Sequence, residues 1–160
     1  MEVGLDTSTM RIGKGRKLVM DKMDLCLLTI DVVVKHFEKV IDGFAHKYEK
    51  FDMPIINLGV SGMDPDRYAE LETVDAFHEY TVVLNKLWMV ENNIDEGLLI
   101  GIVAHECVHA FQMTKEGLET FPPHRYGYWF DPYEVEARGL ERAFEHLVMK
   151  KINKQKKKSS

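Results

Sequence analysis

His105-Glu106-Cys107-Val108-His109 sits inside a run, from about Leu98 to Phe111, whose apolar residues recur three and four apart. On a helix of 3.6 residues per turn, histidines four apart lie one above the other on one face, so both imidazoles can reach a single metal ion such as Zn²⁺. Glu106 is turned by about 100° from His105. That is too far for it to ligate the same ion but close enough to hold a water beside it. The H-E-x-x-H spacing is the one a metal-dependent hydrolase requires.

The flanking residues support a helix. Asn93 followed by Glu96 has the spacing of a capping box, and Gly117 closes the run. Leu98, Leu99, Ile102, Val103 and Cys107 form one apolar stripe, which Ile100, Val108 and Phe111 widen, so the helix is expected to be nearly all buried. Two histidines and a glutamate there are costly to desolvate unless something satisfies them, and a metal ion does so; the competing reading is a pair of core histidines bonded to carbonyls.

A catalytic zinc takes three protein ligands and keeps a fourth position open. Asp131-Pro132-Tyr133-Glu134-Val135-Glu136-Ala137-Arg138 reads as the start of a second helix, with Asp131 as N-cap and Pro132 at the first helical position. Ala137, Leu140, Phe144, Leu147 and Val148 make its apolar side. Glu134 shares a face with Ala137 and can point inward, whereas Glu136 is offset, behind the ligands or in solvent. His124, fifteen residues after His109, is the rival third ligand. Tyr126, Tyr128, His124 and Arg125 lie in the loop between the helices and are candidates for contacting an oxyanion or the substrate. Gln112, one turn beyond His109, is placed to hold a ligand or the loop by a hydrogen bond.

Taken together, His105-Glu106-Cys107-Val108-His109-Ala110-Phe111-Gln112 and Tyr128-Trp129-Phe130-Asp131-Pro132-Tyr133-Glu134-Val135-Glu136-Ala137 resemble the small metallopeptidases of tailed phages and some bacteria. Those carry HExxHxxQ and, later, Pro-aromatic-Glu-x-Glu-Ala, a gluzincin pattern. The resemblance covers roughly residues 80 to 145 and implies that Glu134 is the third ligand. It implies an α+β, zincin-like fold, mostly helical with a small sheet beside the HExxH helix, and a zinc-dependent peptidase with Glu106 as general base. It also implies that residues 80 to 85 form the strand along which an extended peptide substrate would add. The spacing to His124 is similar to that of SprT-like, DNA-associated proteases, but Arg125 stands where their glycine would be.

The chain of 160 residues, 45% of them hydrophobic, is expected to form one domain over 18–149, preceded by a flexible arm over 1–17 and followed by a basic, disordered tail over 150–160. The absence of a long apolar run or a leader-like start points to a soluble, cytoplasmic protein. Cys26 and Cys107 fall among apolar residues and suit buried free thiols. Removing the six lysines between Lys150 and Lys158 from the net charge of −5 leaves −11 on residues 1–149. The tail offers at most a weak anchor for nucleic acid, and the acidic body argues against a general DNA-binding surface.

Upstream, Met20, Met23, Leu27, Ile30, Val34, Phe37, Ile41, Phe44 and Tyr48 predict one amphipathic helix over about 18–50. Ile55 to Val60 and Tyr80 to Asn85 read as strands, the second running into a short helical piece through Trp88, while 67–76 is ambiguous between helix and strand. Three functional classes fit these readings: a zinc peptidase, a zinc-stabilised binding or regulatory module without turnover, and a SprT-like protease acting near DNA.

Overall fold

The computed structural model describes residues 21–41, 53–74, 78–90, 94–116 and 130–159. It is an α+β arrangement. Helix α1 (Lys22–Ile41) leads into strands β1 (Ile55–Ser61), β2 (Ala69–Thr73) and β3 (Glu79–Asn85), then the single-turn α2 (Lys86–Met89) and the long helices α3 (Glu96–Glu116) and α4 (Pro132–Ser159). Helices α1, α3 and α4 pack against one another, and α3 also lies against β2 and β3.

The strand order is β1-β3-β2, with β1 parallel and β2 antiparallel to β3. In that register Ile56 and Leu58, Tyr80, Val82 and Leu84, and Ala69 and Leu71 share one face, and all pack into the core. The ambiguous stretch is therefore strand β2, whose alternation is short and is completed by pairing with β3. Residues 80–85 are the central strand. Both their edges are used, so the expected peptide-binding edge is not available there. The turn into β3 passes through His78 at φ 59°, a left-handed conformation, and the His78 carbonyl accepts the Ile55 amide of β1 at 2.9 Å. Asn85 ends β3 as a buried tie. Its amide donates to the carbonyls of Asp64 and Arg67 at 3.0 and 2.7 Å, and its oxygen caps α2 at the Leu87 amide.

Of the stripe that its spacing predicts, the first helix buries Ile30 and Phe37 among the described residues, and its buried arc extends to the other side of them. Leu25, Cys26, Thr29, Ile30, Val32, Val33 and Phe37 are buried, whereas Leu27 is 53% exposed. Leu27 falls on the face that carries the exposed Asp24, Asp31, Lys35 and Glu38, and packing against two helices, α3 and α4, buries an arc wider than a narrow seam. Phe37 closes it, stacked on Phe111 of α3 at 3.8 Å between ring centroids and facing Phe144 of α4 at 6.0 Å. The continuation of this helix over 42–50 and the arm over 1–17 lie outside the described residues.

At its start α3 is capped by Asp95, which accepts the Leu98 amide at 2.9 Å, and the expected cap Asn93 lies outside the described residues. The tail expected to be disordered continues α4 as far as Ser159. Ile152 is buried and anchors the first turns of that extension, and lysine is a good helix former that suits a helix C-terminus. Both cysteines are buried free thiols, and burial pushes Cys26 up to about 12, with Asp21 adding to the shift. Among the described residues no helix is long and apolar enough to cross a membrane.

Candidate metal centre

The site lies where α3 meets the first turn of α4. The α3 histidines are held by a helix that is almost wholly buried, with His105 and His109 themselves only 8% and 4% exposed. Glu134 is presented by the N-cap: one Asp131 oxygen accepts the amides of Tyr133 and Glu134 at 2.9 and 3.3 Å, which fixes the turn that aims Glu134 inward. Ala137, one turn later, is fully buried and leaves the space for it.

Three atoms converge. His105 Nε2 lies 2.8 Å from Glu134 Oε1, His109 Nε2 lies 3.2 Å from the same oxygen, and the two Nε2 atoms are 3.1 Å apart. Ligands bound at 2.0–2.1 Å to a tetrahedral ion stand about 3.3 Å from one another, so the set needs only a slight expansion to admit one.

The far side of each imidazole decides what this cluster can hold. Gln112 donates through its amide nitrogen to the Tyr133 carbonyl at 3.0 Å and to Glu136 Oε1 at 2.8 Å, both of which accept. Its oxygen must then be the atom facing His109 Nδ1 at 2.7 Å, so that nitrogen carries the proton. His105 Nδ1 faces Glu141 Oε1 at 2.8 Å, again an acceptor. With both protons on Nδ1, each neutral ring turns the lone pair of Nε2 toward the other and toward a carboxylate. In that neutral state none of the three converging atoms brings a proton to the other two, so the centre calls for a cation, either an added proton or a metal ion, and the donor set fits a metal ion.

The electrostatics agree. Burial alone would lower the basicity of His105, but its hydrogen bonds to Glu134 and Glu141, with the charges of Glu106 and Glu141, push it up to about 9. Burial would likewise raise Glu134, and the hydrogen bonds with His105 and His109 override it, holding the carboxyl well below the usual carboxylate range. In the absence of a metal the cluster is thus organised to keep one proton among its rings.

Glu106 is half-buried on α3 and is not one of the converging ligands. Burial raises its carboxyl, an effect that His109 and His105 oppose and that Glu134 and Glu70 reinforce. Gln112 and Glu136 meet behind His109. His124, Arg125, Tyr126 and Tyr128 lie outside the described residues. Sequence reasoning missed Glu141, which holds His105 from behind. The available signal was its place seven residues, two helical turns, after Glu134 on the same face of α4.

No protein-family model matches the chain, no curated protein matches its sequence and no solved structure matches its fold.

Proposed function

We propose that this chain is a zinc-dependent peptidase of the zincin-like, gluzincin kind, with His105, His109 and Glu134 as ligands and Glu106 as the proton-transferring group. The observation that carries the reading is the placement of Glu106, beside a cluster of three metal-ligating groups and outside it, in surroundings that raise its carboxyl toward the working range of a general base. When bound, zinc supplies the Lewis acidity that activates a water and polarises a carbonyl. Glu106 takes the proton of the attacking water and returns it to the leaving amine. Glu141 and Gln112 keep the two imidazoles oriented with Nε2 toward the cluster.

Among the described residues, a peptide substrate has one suitable strand beside α3. Because β3 is central, β2 is the edge nearest the HExxH helix. The pairing of Tyr68 with Asn85 and of Val74 with Glu79 leaves the backbone groups of Ala69, Leu71 and Thr73 directed away from β3, where an extended peptide can add to the sheet.

A second reading is a metal-stabilised binding module. It is favoured by the ligands coming from two helices, so that an ion would cross-link α3 to α4. Glu106→Gln separates the two. The variant should retain stoichiometric zinc by metal analysis, lose hydrolysis of a peptide that wild type cuts by about a hundredfold or more, and melt higher, since a neutral amide avoids burying a charge. Glu134→Ala should lose the metal. Equal cleavage by wild type and Glu106→Gln would remove the catalytic role, and zinc binding without cleavage across a broad peptide set would favour the module.

A further inference from the structure

We propose that Glu141 and Gly101 act as one device that sets the affinity of the metal centre, Gly101 leaving the space in which the Glu141 carboxylate is held against His105. The inference rests on the metal-centre reading above and makes Glu141 a positioning residue, acting on the ion through His105.

Gly101 precedes His105 by one turn on the face of α3 that meets α4. A Cβ on Gly101 would lie 3.2 Å from Glu141 Oε2, closer than an ordinary contact, while the other oxygen of that carboxylate faces His105 Nδ1 at 2.8 Å. One turn further back, a Cβ on Gly97 would lie 2.8 Å from Glu145 Oε2. Gly97, Gly101 and His105 thus succeed one another along α3, while Glu145, Glu141 and Glu134 face them in the reverse order along α4. Apart from proline, glycine is the residue least suited to a helix interior, so its presence here needs a packing reason, and the seated carboxylates supply one. The two imidazoles are not supported alike. His109 is backed by the neutral amide of Gln112, His105 by an anion. An anionic acceptor on Nδ1 makes Nε2 a stronger donor to a metal and fixes the ring, so Glu141 contributes both charge and orientation.

The test is a double-mutant cycle read by Zn²⁺ affinity, from chelator competition on the full chain. Glu141→Ala should weaken binding roughly 10- to 100-fold, with Glu141→Gln intermediate, because the amide oxygen keeps the hydrogen bond but not the charge. Gly101→Ala should weaken binding about three- to tenfold in the wild-type background and by less than about twofold once Glu141 is alanine, since there is then no carboxylate to displace. In zinc-loaded protein the His105 Nδ1–H resonance should persist in Glu141→Gln and be lost to exchange in Glu141→Ala. A Gly101→Ala loss that is the same in both backgrounds would overturn the device, as would wild-type affinity in Glu141→Ala. Wild-type protein that binds no Zn²⁺ would remove the metal-centre reading and this inference with it.

Discussion

Gln112 shows how much one side chain can determine. Its amide leaves only one orientation compatible with its acceptors, and that orientation fixes which nitrogen of His109 carries the proton. Gln112→Ala should therefore do two things: weaken zinc binding roughly 10- to 100-fold, the usual scale for losing a partner behind a ligand histidine, and lower the melting temperature, because Tyr133 and Glu136 lose a donor. Competition titration and thermal unfolding measure both, and an unchanged affinity would mean that the helix alone orients His109. The candidate ligands His105 and His109 were legible in the sequence because their spacing is a property of any helix, and Glu134 through its helix start and the resemblance. Glu141 was not, because its role depends on how closely α4 approaches α3.

At the scale of the element, the first turn of α4 links folding to chemistry. Asp131 was readable as an N-cap, since a short acidic side chain before proline satisfies amides that the helix itself cannot. Asp131→Ala should cost about 1 kcal/mol in denaturant unfolding, and it should also weaken metal binding, because the turn carrying Glu134 frays; Asp131→Ser should restore most of both. Loss of stability with wild-type zinc affinity would show that Glu134 is positioned by packing against α3 instead. Helix and strand identities were largely readable from periodicity, as in β1, β3 and α3. The buried arc of α1 was legible only in part: Ile30 and Phe37 lie on the expected stripe, but two helical neighbours extend burial to Leu25, Val32 and Val33, while Leu27 falls on the exposed face with Asp24 and Asp31.

For the whole molecule, the buried cluster couples stability to pH. His105, raised in the metal-free protein from 6.5 to about 9, contributes stability that is fully present below pH 6.5 and is lost as pH rises through 9. Glu134, lowered from 4.5, contributes stability present above pH 4.5 and lost as pH falls through its folded value. The metal-free protein should thus gain most from this cluster between pH 4.5 and 6.5 and melt at progressively lower temperature from pH 6.5 to 9, while the extra stability conferred by zinc grows over that range as the competing proton leaves. Melting curves with and without zinc check this, and a zinc effect that shrank toward pH 9 would contradict it. By itself the sequence determined the two histidines on one helical face, the helix start that carries Glu134, and strands β1 and β3, because each depends on spacing or capping within a few residues. Only the tertiary structure decided that, among the described strands, β3 is central and β2 an edge, that α4 runs on to Ser159, and that Glu141 reaches His105 over Gly101. Strand order and helix approach are set by long-range packing, which local periodicity does not encode.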